Sequence, residues 1–301
     1  MSTPTILLVH GIRPKYPTFV ELRESIERDP ERRFKGWTIV PFPYDWELGV
    51  EKTVPAFVNE LQMLVKQCGE SGVFVIAHSM GGLVARCALM SAPSLRIRRL
   101  VMLATPNFGA ISTAQQGFFW QCAFGLATSI TGIYPRLQAY NDLMHVHELM
   151  NRYRNEQVDL DCEYATLPAQ YYHATRSLID RLNFASAHRM YAAPAAIAEF
   201  FSTVFPMRLT LNRPHDGIVE SVSVSLSPAE GGARWSEKRV AIRTADKTYI
   251  NVTLDCAINV DHGTILKEPA VLDCVKDILA AESLEEWIDN APHSKLNVTF
   301  N

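Results

Sequence analysis

Residues 73–82, VFVIAHSMGG, constrain the fold more than any other stretch. Val73 to Ala77 form an apolar run with no polar alternation, the pattern of a strand covered on both faces. The run ends at His78. Ser79 follows, then Met80 and the glycine pair Gly81 and Gly82, and from Gly81 to Met90 the residues read as a helix. A strand that turns at once into a helix, with small residues (Ala77 and Gly81) two positions either side of a serine, projects one hydroxyl at the carboxyl end of a parallel sheet.

The flanking sequence repeats this rhythm. Thr5–His10 is a short apolar strand. Thr18–Arg28 carries Phe19, Leu22 and Ile26 at helical spacing, and Trp37–Phe42 reads as a strand. Val54–Cys68 places Phe57, Leu61, Leu64, Val65 and Cys68 on one helical face, and Leu100–Ala104 is another continuous strand. Alternating strands and helices imply a mostly parallel central sheet with helices on both faces. From about Asn107 to Phe205 the chain reads as helices and loops, so the expected division is a core of 1–106 and 206–301 with a helical cap or lid inserted over 107–205. The DLDCE run, Asp159–Glu163, reads as a solvated loop within that cap. Further strands are expected at Pro206–Leu211, Arg239–Arg243 and Tyr249–Ala257, then a last helix near Ala270–Ala281 and a polar tail.

A lone serine is a weak nucleophile and needs a base and an orienting acid. An elbow supplies two other things. It exposes the hydroxyl to a base, and it turns the Met80 amide toward an oxyanion at the positive end of a helix.

Motifs along the chain point the same way. LLVHG (Leu7–Gly11), PYDW (Pro43–Trp46), AHSMGG (Ala77–Gly82), LATPNFGA (Leu103–Ala110), HDGIVE (His215–Glu220) and VDHGTIL (Val260–Leu266) together resemble the α/β-hydrolase fold, and within it bacterial-type lipases and esterases. AHSMGG is similar to the elbow of small Bacillus-type lipases, which also carry alanine first. LATPNFGA resembles a turn of lipases and of the GPI inositol deacylase-like group. The resemblance implies that the amide of Ile12 joins that of Met80 in an oxyanion hole, that HDGIVE bears the acid and that VDHGTIL bears the base. Chain order agrees, since this fold needs serine, acid and histidine in that sequence. His262 falls between the last expected strand and the last helix, unlike His145, His147, His173, His188, His215 and His293. Asp216 follows an expected strand end, with Asp180 as the alternative, while Asp261 is badly placed to orient the neighbouring ring. His10 and His78 read as structural, holding the loops around the hole.

The expected activity is therefore ester hydrolysis through Ser79, Asp216 and His262, with no metal or organic cofactor. The alternatives are acyl transfer, thioester or amide cleavage by the same residues, or a non-catalytic binding protein on this fold. Phe118, Phe119 and Trp120 open an apolar stretch of the cap and are the candidates for contact with an acyl chain. The expected partner is a small-molecule or lipid ester. With 32 acidic against 29 basic residues, nothing in the charge favours nucleic acid or an anionic membrane surface. No window approaches the length of an apolar spanning helix, so no stable membrane insertion is expected. The six cysteines form no CxxC pair, and with no secretory leader evident the expected setting is cytoplasmic.

Overall fold

The structure, a computed structural model of the chain, describes residues 2–12, 18–109, 142–143, 146–153, 160, 162–168, 219, 221–224, 243–244, 247–254, 260, 262–290 and 296–298. The strands are β1 Thr5–Val9, β2 Thr38–Pro41, β3 Val73–His78, β4 Arg99–Leu103, β5 Glu163–Leu167, β6 Arg243–Thr244, β7 Lys247–Leu254 and β8 Leu296–Val298. The main helices are α1 Val20–Glu27, α2 Gly49–Cys68, α3 Met80–Ser91, α4 Val146–Tyr153, α5 Ser221–Val224, α6 Pro269–Ala280 and α7 Leu284–Asn290.

The sheet runs β2-β1-β3-β4-β5-β7-β6, parallel from β2 through β7, with antiparallel pairing of β6 and of β8 to β7. The chain leaves β1 outward to β2, then crosses back to lay β3 on the other side of β1. The strand order thus reverses between β1 and β3, and ligands in open α/β sheets bind at such a reversal.

The missing alternation in the strands now has its cause. Leu7, Val9, Val73, Val75, Ala77, Leu100 and Met102 face a core shared with α2, α3 and α4, where Phe57, Leu61, Leu83, Val84 and Leu149 are buried. Their neighbours Ile6, Leu8, Phe74, Ile76, Val101 and Leu103 face a second core with Leu22 and Ile26 of α1 and Val271, Val275 and Ile278 of α6. Each strand therefore needs apolar side chains at every position. The first turn of α2 is closed by a distant group: the Asp142 carboxylate accepts from the Val50 amide at 2.6 Å, a favourable charge at a helix N-terminus.

Three expectations need correction. The interval 107–205 is not a cap throughout, because Glu163–Leu167 forms β5 in the middle of the sheet, paired with β4 and β7. The DLDCE run is not a solvated loop: Leu160 and Cys162 are buried and Glu163 begins β5. Its acidic end is there for Arg99, which is only 1% exposed. The Arg99 guanidinium donates to Glu163 Oε2 from Nε at 2.9 Å and also from Nη2, and it donates to the Ile278 and Ala281 carbonyls at the end of α6. The buried cation needs a carboxylate. Nor is the C-terminal segment only a polar tail, since Leu296–Val298 pairs with β7. The expected strand Pro206–Leu211 lies outside the described residues, as do 110–141 and 169–200 of the proposed cap.

Candidate active site

Ser79 stands directly after β3, at the reversal between β1 and β3. Its backbone has φ 53° and ψ −129°, a region that costs of order 1–3 kcal/mol for a residue with a side chain. The sheet and α3 hold it there. The Ser79 amide donates to the Leu103 carbonyl at 2.9 Å, and the Ser79 carbonyl accepts from the Gly82 amide at 3.0 Å. All side chains from Met80 to Met90 are buried, so α3 is locked into the core behind the serine.

The turn brings main chains together closely enough to exclude side chains at two positions. A Cβ on Gly81 would lie 2.4 Å from the His10 carbonyl oxygen and 2.5 Å from that of Val9. A Cβ on Gly11 would lie 2.6 Å from Ser79 Cβ and 3.2 Å from Ser79 Oγ. The loop after β1 thus lies against the serine itself. Two groups fix that loop. Tyr44 Oη donates to the His10 carbonyl at 2.6 Å, and the Tyr44 ring stacks on His10 with centroids 4.2 Å apart. His10 Nδ1 donates to the Gly11 carbonyl at 2.8 Å. Because carbonyl and amide point opposite ways in a trans peptide, this bond sets the direction of the Ile12 N–H in the same unit. Burial holds the His10 imidazole below its ordinary pKa, against the opposing effect of its backbone hydrogen bonds.

His262 reaches the serine from the other side. Its Nε2 lies 2.8 Å from Ser79 Oγ, and the two residues are 2% and 7% exposed. In the neutral tautomer protonated at Nδ1, the Ser79 hydroxyl donates to Nε2. The residue before the serine also grips the histidine: His78 Nε2 lies 2.8 Å from the carbonyl oxygen of His262. Further along the same edge, Arg86 of α3, 1% exposed, donates to Asn107 Oδ1 at 2.7 Å. Asn107 Nδ2 donates to the Val224 carbonyl at 2.6 Å, and Ser223 Oγ accepts from the Phe108 amide at 3.1 Å. These bonds tie α3 and the turn after β4 to α5.

Of the residues singled out from sequence, Ser79, His262, Met80, Gly11 and Ile12 are described; Ser79, His262 and Gly11 meet at the carboxyl end of the sheet, with Met80 and Ile12 next in the chain to Ser79 and Gly11. Asp216, Phe118, Phe119 and Trp120 lie outside the described residues, as do Asp180 and Asp261. Tyr44 and Asn107 were visible only as members of motifs. Arg86 carried no signal, since an arginine in a helix reads as solvated and its partner is a turn away in space, not in sequence.

The chain is similar to the lipase BlEst2 of Bacillus licheniformis in its mature form, with a TM-score of 0.54 at 15% identity over 93% of both chains. The fold is that of the α/β-hydrolases. The propeptide form of the same lipase gives a TM-score of 0.52 at 15% identity, covering 93% of this chain and 51% of that one. Residues 32–119, which include the serine elbow, match a family model described as lecithin:cholesterol acyltransferase. Over 67 residues the chain is 36% identical to the uncharacterized protein YJR098C of Saccharomyces cerevisiae, a stretch that is 22% of this chain and spans only a tenth of that protein, 10%. Among the described residues no helix is long and apolar enough to cross a membrane, and no group of three or more His, Cys, Asp or Glu side chains is gathered for a metal ion.

Proposed function

We propose that the protein is a serine hydrolase acting on carboxylic esters, with Ser79 as nucleophile, His262 as general base and acid, and Asp216 as the orienting acid. The observation that carries this reading is the 2.8 Å separation of His262 Nε2 from Ser79 Oγ, at a serine held in a strained backbone conformation. His262 takes the hydroxyl proton as Ser79 Oγ attacks the ester carbonyl. The amides of Ile12 and Met80 hold the tetrahedral oxyanion, each donor contributing about 3 kcal/mol. The intermediate collapses as the His262 imidazolium returns the proton to the leaving alkoxide. Water, deprotonated by His262, then attacks the acyl-enzyme, and Ser79 regains its proton. Phe118, Phe119 and Trp120 are the residues proposed to contact the acyl chain, and the site operates without a metal or organic cofactor on a small-molecule or lipid ester in the cytoplasm.

The test is labelling by a fluorophosphonate together with turnover of p-nitrophenyl esters of graded acyl length. Labelling at Ser79, lost with turnover in S79A, is the expected result. A wild-type protein that is folded yet neither labelled nor active overturns the reading. The match of residues 32–119 to the acyltransferase family model favours a second reading, in which an alcohol and not water accepts the acyl group. Product analysis with a long-chain alcohol present separates the two: a new ester in place of free acid supports transfer.

A further inference from the structure

We propose that His78 is a positioning residue for this chemistry, holding the main chain of His262 so that its ring stays against Ser79. The inference rests on the roles proposed above for Ser79 and His262. A carbonyl oxygen can only accept, so the 2.8 Å contact between His78 Nε2 and the His262 carbonyl fixes a proton on that nitrogen. Two consecutive residues of the elbow therefore grip one residue from the far end of the chain, Ser79 at the tip of the ring and His78 at the backbone.

The loop has other anchors. Val260 is buried before His262, and Ile265 and Leu266 are buried after it. Those apolar contacts are non-directional, and backbone bonds to the Thr264 carbonyl close the turn that follows. The His78 bond is directional and lies at the residue that matters. The bond restricts movement of the His262 main chain, and the ring it carries is further confined by the Ser79 contact and by the His78 ring, whose centroid is 4.9 Å away and tilted 47°. His78 is itself 6% exposed and sits at the last residue of β3, paired with Leu103 of β4, so the anchor is as rigid as the sheet. Preorganisation of this kind matters because a displacement of about 1 Å in a reacting group can cost roughly a hundredfold in rate.

The experiment compares H78Q, whose amide nitrogen can reproduce the ring Nε2 donor, with H78N, whose amide is too short to reach, and H78L. Melting temperature, kcat, KM and the fluorophosphonate labelling rate at Ser79 are read for each. The expected result is a fall in kcat and in labelling rate of about 10- to 100-fold in H78N and H78L with KM nearly unchanged, and recovery of most of that loss in H78Q at similar thermal stability. Wild-type labelling rates in folded H78N, or an H78Q variant as slow as H78L, would overturn the proposal. A measurement on the unaltered protein covers the case in which the variants do not fold: nitrogen NMR of the imidazoles is expected to show His78 protonated at Nε2 from pH 6 to 8, and a bare Nε2 at pH 8 overturns the bond. A wild-type protein not labelled at Ser79 would remove the roles of Ser79 and His262 instead, while the NMR result still decides the bond.

Discussion

Replacing Gly81 by alanine tests the close approach on which the site depends. The added Cβ would sit 2.4 Å from the His10 carbonyl oxygen, against an ordinary contact of 3.4 Å or more. Both sides of the clash are main chain, one in α3 and one at the end of β1, so no side-chain rotation relieves it. Relief requires the loop after β1 to withdraw by about 1 Å, within a core packed to crystal-like density. Overpacking of this kind costs about 1–3 kcal/mol, or roughly 2–10 °C in melting temperature for a chain of this size. The same withdrawal shifts Gly11, which lies against Ser79, and with it the Ile12 amide proposed above as an oxyanion donor. Loss of one oxyanion donor lowers kcat by roughly 100- to 1,000-fold. In a p-nitrophenyl ester assay well below the melting range, G81A is expected to show that loss with KM changed little. A G81A protein with wild-type kcat and wild-type melting temperature would refute the argument, because it would mean that the two main chains need not touch.

Three further outcomes are expected. Y44F deletes the 2.6 Å bond to the His10 carbonyl, and should lower stability by about 1 kcal/mol in denaturant unfolding and kcat more than KM in the ester assay. Asp29, buried and hydrogen-bonded to Arg33, is held below the ordinary carboxylate value of 3.8. The unfolded chain then takes up that proton first as pH falls, so the stabilisation is complete above about pH 4 and drains away below it. The melting temperatures of wild type and D29N should therefore converge as pH falls below about 4, and a constant gap would contradict this. Burial pushes the Cys87 thiol up to about 12 and raises that of Cys274, so neither should react with a thiol reagent at pH 8 until the protein is denatured, as peptide mass spectrometry would read.

How much of this was legible depended on how local the cause was. The strands β1, β3 and β4 are continuous apolar runs because both their faces are covered, and that cause is written in the runs themselves. The serine elbow is a local conformation with local requirements, so Ala77, Gly81 and Gly82 announce it. The short strand β5 was hidden by its leading acid, which looks solvated until Arg99, far away in sequence, is found opposite it on the paired strand β4. The last strand, β8, has only Leu296–Val298 to show, and its pairing belongs to β7. Around the serine, the roles of Tyr44 and Asn107 and the His78 bond are contacts between segments far apart in sequence, and no pattern within either segment specifies them.

The complete burial of α3 from Met80 to Met90 has a consequence for how the serine behaves over time. Strain at a surface turn can leak away when the neighbouring helix frays, but this helix has no exposed end turn beside Ser79 at which fraying could begin. The unfavourable torsion at Ser79 can relax only if a large part of the sheet opens with it. Amide exchange at Met80–Leu83 should thus follow global unfolding, making a strained main-chain conformation one of the more persistent features of the described fold.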